Sequence, residues 1–418
     1  MVIGYFLPDY TEEKKKGSDC FSSTNEVYGK YVKQKRYVSH IDKAFGLEPR
    51  AAAEKPEQTW PCVPRTRTHL SSADNILDLP TYSSAAFPEL LDWSNDNILV
   101  AALGTKYYKW SWHSQSPIGK GFTLFNTACC RFDPTGERLA LGTDMQRVEI
   151  HNTWSKWVAG SWCRCASLPQ QYCLVTAVDW SPTGNSFVTG CSRGMVTSFD
   201  RDATLISHRQ FTIGAIFLIR VSPDARYVAA AAVNSPQVLV MLWPSLNESR
   251  AIGSDWITIA WHPWRSALLG IGGVTELKSW IALWDAPRAT LRATNTVSNS
   301  DFSLDTMLFS HRTGELVLSL WNTERQSLYP KASSQLVVMS GPDAVVDQWG
   351  EGRYGMDRVR TMVFSPDGTK LATATADEDL IIWNFLPKDN EPNKNTKRRR
   401  FSAIPTYIDQ STHGFSLR

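Results

Sequence analysis

The chain lacks the apolar run of roughly 18 residues that a membrane helix requires. Its first residues also lack the basic region and long apolar segment that together mark a secretory signal. We therefore expect an intracellular protein, cytoplasmic or nuclear. The net charge is only +3 over 418 residues. The basic run KNTKRRR at 394–400 is typical of a solvated, flexible linker, and a localisation or docking signal is the alternative. We expect neither nucleic acid nor a membrane among the partners.

Motifs that would supply enzyme chemistry are missing as well. The sequence has no GxSxG, HExxH, GxxxxGK[ST] or GxGxxG, the motifs of exposed nucleophiles, zinc-bound bases and phosphate-binding loops. Eight cysteines occur without a CxxC pair, which indicates free, mostly buried thiols in a reducing compartment. Cys163 and Cys165 form a CxC pair, but structural zinc takes four ligands. We expect no enzyme activity, no metal and no cofactor.

What the sequence does contain is a repeated pattern of strands and turns, clearest in RVRTMVFSPDGTKLATATADEDLIIWNF at 358–385. Apolar and polar positions alternate over 359–364, and SPDG follows with the Pro and Gly of a tight turn. The unit continues with a second alternating run, then the polar turn ADED, and ends with a short apolar run that closes on Trp. The pattern predicts a three-stranded antiparallel meander, which cannot bury both of its faces alone.

Six further units resemble this one and lie before it in the chain. The residues that correspond at the end of the first predicted strand are Trp93, Phe132, Trp180, Val221, Trp261, Phe309 and Phe364. Their spacing of 39 to 55 residues brackets the length of a WD-repeat blade, with the excess placed in loops. The sequence therefore predicts an all-β protein, a seven-bladed WD-repeat β-propeller. The fourth strand of each blade would lie between the units, and residues 76–79 are the candidate for the strand that closes the ring.

The regions outside the repeats differ in composition. Residues 1–75 carry few periodic apolar positions and a stretch rich in Pro and charge, which predicts a disordered arm. We assign the propeller to 76–386 and a basic, flexible tail to 387–418.

A family resemblance becomes specific at ILDLPTYSSAAFPELLDWSNDNILVAALG, residues 76–104. This segment resembles the start of the propeller in the Fizzy and Fizzy-related family, whose members have approximately ILDAP, LNLVDWS and LAVALG. Because the chain diverges from the mainline mitotic members of this family, it resembles the insect Cortex branch more. The resemblance implies a noncatalytic activator and substrate receptor of the anaphase-promoting complex, with its subunits and degron-bearing substrates such as cyclins as partners. The alternatives are a general WD-repeat scaffold in another complex and, without support from any motif, a propeller enzyme.

The resemblance also implies docking segments for the ligase near both ends of the sequence. The family's N-terminal motif, approximately DR[FY]IPxR, is matched in GYFLPDY by Phe6, Leu7 and Pro8, without its arginines or its aspartate. A weaker candidate is RYV at 36–38, and a third possibility is that the motif is absent. The family's Ile-Arg terminus is matched by Leu417 and Arg418, where guanidinium and carboxylate can both be paired.

Two further sites would bind degrons. In the family's destruction-box groove an acid receives the arginine of RxxL, and Glu378 in ADEDL matches that acid. A second family acid falls where this chain has alanine at 85 or 86, so the resemblance implies that one carboxylate partner of the peptide arginine is missing. For the KEN motif, Arg358 matches a family arginine of the last blade, whereas Asn234 and Thr275 match family polar positions only with small gaps. Ser303 stands where the family has glutamine.

Overall fold

The chain divides into two compact units, Met1–Ala53 and Glu54–Arg418. The structure, a computed structural model, describes residues 29, 32–33, 37, 60–70, 73–82, 87–165, 172–211, 214–233, 237–247, 250–253, 256–265, 267–275, 278–296, 302–322, 334–350, 356–386 and 415–416. Phe6, Leu7, Pro8, Asn234, Leu417 and Arg418 lie outside these residues.

The second unit is a seven-bladed β-propeller, which confirms the predicted fold class. Each of the first six blades is an antiparallel sheet whose four strands follow one another from the central channel outward. The strands are β1 (Ala73–Asp78), β2 (Leu91–Trp93), β3 (Ile98–Leu103), β4 (Lys106–Ser111), β5 (Ser116–Phe122), β6 (Thr127–Phe132), β7 (Arg138–Thr143), β8 (Arg147–Asn152), β9 (Trp157–Trp162), β10 (Val175–Trp180), β11 (Ser186–Cys191), β12 (Met195–Asp200), β13 (Leu205–Gln210), β14 (Ile216–Val221), β15 (Tyr227–Ala232), β16 (Gln237–Leu242), β17 (Arg250–Gly253), β18 (Trp256–Trp261), β19 (Leu268–Thr275), β20 (Lys278–Asp285), β21 (Thr290–Thr296), β22 (Phe302–Phe309), β23 (Leu316–Asn322), β24 (Ser334–Gly341), β25 (Ala344–Trp349), β26 (Val359–Phe364), β27 (Lys370–Thr375), β28 (Asp379–Asn384) and β29 (Phe415–Ser416).

Blades 1 to 6 take four consecutive strands each, beginning with β2, β6, β10, β14, β18 and β22. Every innermost strand ends at the apolar residue that the repeat pattern singled out, and these seven side chains are buried. The turn after the innermost strand of the last blade uses Gly368 at a φ of 66°, a left-handed conformation that glycine adopts without cost. In blade 4, where the sequence has SPDA, Ala225 takes the same conformation at a φ of 53°.

The last blade is completed by a strand from the beginning of the propeller. Its order is β26-β27-β28-β1-β29, and β1 pairs antiparallel with β28 so that Leu77 lies opposite Leu380. The closing strand therefore includes most of the predicted segment 76–79. Outside it, β29 pairs in parallel with β1, with Phe415 opposite Leu77.

Residues 60–70, here called the strap, pack against blades 5 to 7. They fall within the arm that composition predicts to be disordered. Trp60 is fully buried and contacts Phe309 edge-to-face, with ring centroids 6.0 Å apart. The Arg65 guanidinium is also buried and pairs with Glu315 at 2.9 Å and Asp347 at 2.8 Å. These few anchors fix a segment whose average composition is polar. Among the described residues there is no helix with the length and apolarity that crossing a membrane requires.

Candidate functional site

Arg358 and Glu378 lie at the same end of the last blade. Arg358 immediately precedes β26, and Glu378 belongs to the turn between β27 and β28. The backbone amide of Ala376 in that turn donates to the carbonyl oxygen of Arg358 at 2.8 Å. The structure therefore brings together two residues that the sequence assigned to separate degron motifs, through the antiparallel pairing of β26 with β27.

The turn that carries Glu378 contacts the residues that follow β1 and lead into the first blade. Glu378 has a φ of 73°, in the left-handed region that non-glycine residues seldom adopt. Its carbonyl oxygen accepts a hydrogen bond from the amide of Leu79 at 2.6 Å, just after β1. Thr375 caps the turn, since its hydroxyl oxygen accepts the amide hydrogen of Asp379 at 3.2 Å. The half-buried Glu378 side chain is thus held on a backbone tied down on both sides.

Three aspartates surround Glu378 and form with it what we call the acidic rim: Asp78, Asp377, Glu378 and Asp379. Asp78 lies opposite Asp379 in the pairing of β1 with β28. Burial raises the pKa of Asp379, and the negative charges of Asp377 and Asp78 raise it further. A cation bound here would relieve that repulsion. The family resemblance concerns the acid that is missing at 85 or 86, and these two residues lie outside the described part of the chain. It does not reveal Asp78, because Asp78 reaches the rim through the pairing of β1 with β28.

Arg358 is oriented by an acid that the sequence did not reveal. Its Nε and Nη2 both donate to Oδ1 of Asp305 in β22 of the neighbouring blade, at 2.9 and 2.6 Å. The hydrogen bond to Asp305 raises the pKa of Arg358, and burial raises the pKa of Asp305. Nη1 of Arg358 has no hydrogen bond to any described residue, and the side chain is 54% exposed. Asp305 therefore fixes the guanidinium while leaving one of its edges accessible.

The charges deeper in the central channel pair with one another. A cavity of about 240 Å³ lies along the innermost strands. On its wall Arg220 makes a two-point ion pair with Glu89, with Nη1 2.9 Å from Oε2. Arg131 bridges Asp92 and Asp179 at 3.3 and 3.2 Å, joining three consecutive blades. These pairs join different blades, as the pair of Arg358 with Asp305 does, but Arg131 and Arg220 are 22% and 18% exposed whereas Arg358 is 54% exposed.

The other predicted degron residues are less informative. Thr275 ends β19 and lies opposite Lys278 in the hairpin to β20 of blade 5. Ser303 lies in β22, half-buried and opposite Trp321. Asn234 falls between β15 and β16, outside the described residues, as do all five predicted docking residues. Of the predicted site residues, the structure thus describes the side chains of Arg358 and Glu378.

Comparisons with known proteins agree with this architecture. The family model described as WD domain, G-beta repeat matches residues 162–200 and 353–384. Protein cortex of Heliconius erato is 60% identical over 400 residues, covering 94% of this chain and 89% of that protein. A protein of Arabidopsis thaliana, Cell division cycle 20.5, cofactor of APC complex, is 24% identical over 420 residues, covering 90% of this chain and 81% of that protein.

Among solved structures, one chain of "Crystal Structure of Mitotic Checkpoint Complex" superposes with a TM-score of 0.61 at 20% sequence identity. The match covers 81% of this chain and 99% of the other. At that identity the likeness establishes a shared fold.

Proposed function

The chain belongs to the Protein cortex family of WD-repeat proteins, and from this premise we propose that it is a noncatalytic activator and substrate adaptor of the anaphase-promoting complex. In this proposal the propeller binds degron peptides of cell-cycle regulators such as cyclins and brings them to the ligase in mitotic or meiotic cells. The protein acts in the cytoplasm, the nucleus or both. The relationship to Cell division cycle 20.5, cofactor of APC complex, supports the ligase as the partner.

The observation that carries the degron proposal is the arrangement at one end of the last blade. The acidic rim offers carboxylates where the closing strand meets the blade, and Arg358 offers an exposed guanidinium edge beside it. A peptide that crosses this end of the last blade can contact both the carboxylates of the acidic rim and the guanidinium of Arg358. Such a surface suits RxxL, which has a cationic arginine, and KEN, which has an anionic glutamate.

In the destruction-box part of the proposal, the acidic rim binds the arginine of RxxL. A guanidinium can donate hydrogen bonds to two carboxylates at once, so one peptide arginine can contact more than one rim acid. Asp78, Asp377 and Asp379 stand in for the family acid that is missing at 85 or 86. Burial raises the pKa of Asp379, and the charges of Asp377 and Asp78 raise it further, so a bound guanidinium would stabilise the ionised carboxylate.

In the KEN part, Nη1 of Arg358 binds the glutamate of the peptide. Because Asp305 already holds Nε and Nη2, the guanidinium is positioned before the peptide arrives. Asp305 also lowers the net charge that the peptide glutamate meets. We therefore propose KEN binding that is weaker than to an unpaired arginine and sensitive to salt.

Fluorescence anisotropy with labelled RxxL and KEN peptides tests both parts. Glu378→Gln should weaken RxxL binding about tenfold, or ~1.4 kcal/mol, and leave KEN binding unchanged. Arg358→Gln should do the reverse. Glu137→Gln is the matched control, because Glu137 is an exposed acid paired with Arg201 in a turn of blade 2. Equal peptide affinities of wild type, Glu378→Gln and Arg358→Gln would refute the assignment.

Affinity purification with mass spectrometry tests the ligase proposal separately. The wild-type chain should recover subunits of the anaphase-promoting complex, and removal of Leu417 and Arg418 should reduce that recovery. Substitution of Phe6, Leu7 and Pro8 by alanine should reduce it further. A wild-type chain that recovers other proteins but no ligase subunit would favour the general scaffold.

A further inference from the structure

Four cysteine side chains converge at the junction of blades 2 and 3. They are Cys163, Cys165, Cys173 and Cys191, and their Sγ atoms all lie within 4.8 Å of one another. In sequence they form a C-x-C-x₇-C-x₁₇-C pattern. The CxC pair alone gave two ligands, and the fold brings the other two to it. We call these residues the thiol cluster.

Backbone hydrogen bonds hold the cluster together. Cys163 follows β9, and its amide donates to the carbonyl oxygen of Gln146 at 2.7 Å. The amide of Gln146 in turn donates to the carbonyl oxygen of Cys173 at 2.8 Å. Cys191 ends β11, where the amide of Ser192 donates to the carbonyl oxygen of Leu174 at 2.9 Å. These bonds between connecting segments place the backbones of Cys163, Cys173 and Cys191 close together.

The surroundings of Cys191 suit a thiolate. Its sulfur accepts backbone N–H groups from Arg193 and Met195, each at 3.4 Å. The turn that aims both amides at one sulfur includes Gly194 at a φ of 77°. N–H donors of this kind stabilise negative charge on sulfur and orient a ligating cysteine. Cys165, Cys173 and Cys191 are buried, and Cys163 is partly exposed, so an ion has a route from solvent.

We propose that the thiol cluster binds one Zn²⁺ ion, with Cys163, Cys165, Cys173 and Cys191 as its four ligands. Four thiolates around zinc at about 2.3 Å lie about 3.8 Å apart, so the sulfurs need to close in by roughly 1 Å at most. Thiolate ligands in a tetrahedral set select zinc or iron–sulfur chemistry over magnesium or calcium. The close approach of the sulfurs favours a single ion, because a multi-iron cluster holds its thiolates farther apart.

Zinc binding here is a structural role, because all four tetrahedral positions are taken by protein ligands. Binding converts the thiols to thiolates and releases their protons to solvent. The ion would clasp the connection between β9 and β10 to the turn between β11 and β12. It would thus secure blade 3 to its neighbour independently of any ligase or degron.

Metal analysis of the full-length chain tests the proposal. Protein purified under reducing conditions from zinc-supplemented cells and dialysed against metal-free buffer should retain about one zinc per chain by mass spectrometry. Cys173→Ser and Cys191→Ser should each lose most of that zinc and unfold at lower temperature. Cys129→Ser is the control and should keep its zinc, because Cys129 is a buried thiol outside the cluster whose Sγ donates to Val175 at 3.4 Å.

A second measurement needs no variant. Cobalt added to metal-stripped wild-type protein should produce the visible absorption of tetrahedral, thiolate-bound Co²⁺, and zinc should displace it. Wild-type protein without zinc and without this absorption would overturn the proposal. Zinc retained at the wild-type level by both cluster variants would also overturn it, as would disulfides among these cysteines found by peptide mapping of freshly purified protein.

Discussion

The guanidinium of Arg65 and the carboxylate of Glu315 form an ion pair at 2.9 Å in which both side chains are almost completely buried. The two residues are 250 positions apart in the chain. Asp347 pairs with the same guanidinium, and the Arg65 side chain lies over the ring of Phe385 at 4.1 Å. One residue of the strap thereby contacts both blade 6 and the end of blade 7.

Replacing Arg65 with methionine should strongly destabilise the propeller. The substitution leaves two carboxylates buried without a cation, which typically costs roughly 3 to 5 kcal/mol. Urea unfolding followed by tryptophan fluorescence measures the change. Arg226→Met is the matched control, because Arg226 is 55% exposed where it pairs with Asp224, and surface pairs contribute at most about 1 kcal/mol. Equal urea midpoints for Arg65→Met and wild type would show that the strap is dispensable.

Trp60 should be the main apolar anchor of the strap. Trp60→Ala removes a fully buried ring that packs on Phe309, with an expected loss of roughly 3 to 5 kcal/mol. Trp154→Ala should have almost no effect, because Trp154 is 82% exposed. Thermal unfolding of the two variants side by side makes the comparison. Similar midpoints for both would mean that Trp60 does not remain packed in solution.

Stability should fall as the pH drops from about 6.5 to 4. Burial lowers the pKa of His262 to about 4, although its hydrogen bond to the Pro61 carbonyl opposes the shift. In this window the unfolded chain binds a proton that the folded chain does not, so protonation favours unfolding. The loss amounts to roughly 3 kcal/mol at the low end, at about 1.4 kcal/mol per pH unit.

The matched variant for this prediction is His262→Asn. Asparagine can accept the amide hydrogens that Nδ1 of His262 takes from Trp264 and Arg265, but it does not titrate. The unfolding free energy of His262→Asn should therefore change less than that of wild type between pH 6.5 and 4. Burial also lowers the pKa of His311, and that contribution is common to both proteins. Parallel pH profiles would contradict the assignment to His262.

Glu378→Gly should separate peptide binding from folding. At a φ of 73° glycine avoids the steric cost that a side chain incurs, which offsets its greater entropy in the unfolded chain. Stability should stay constant or rise by up to about 1 kcal/mol, whereas RxxL affinity should fall about tenfold. Ala225→Gly makes the same backbone change without removing a carboxylate and should leave peptide binding intact. A loss of affinity in both variants would show that the effect does not depend on the Glu378 carboxylate.

The repeat pattern was sufficient to predict the blades. Each innermost strand ends at its predicted residue, from Trp93 to Phe364, because alternation and turn chemistry are local properties of the sequence. The strap was not predictable in this way. Trp60 and Arg65 depend on partners hundreds of residues away, and a composition average conceals two strong anchors among polar neighbours.

The candidate site was predictable in part for the same reason. Arg358 and Glu378 stood out through resemblance, but Asp305 looks like any polar position of an alternating strand. Asp78 belongs to the rim only because β1 pairs with β28. The cysteine pattern likewise has no familiar spacing. The pairing of β10 with β11 brings Cys191 close to Cys173, and the hydrogen bonds of Gln146 bring Cys173 close to the CxC pair. Contacts set by topology require the fold itself.

The pairing of β1 with β28 also determines when the ring can close during synthesis. β1 leaves the ribosome before any complete blade, and its partner strand follows about 300 residues later. At about 5 to 20 residues per second this interval lasts roughly 15 to 60 seconds. During that time the edge of β1 that will face β28 and the growing end of the ring are both unpaired strand edges, which are prone to aggregation. The length of chain between β1 and β28 therefore sets how long these edges stay exposed during synthesis.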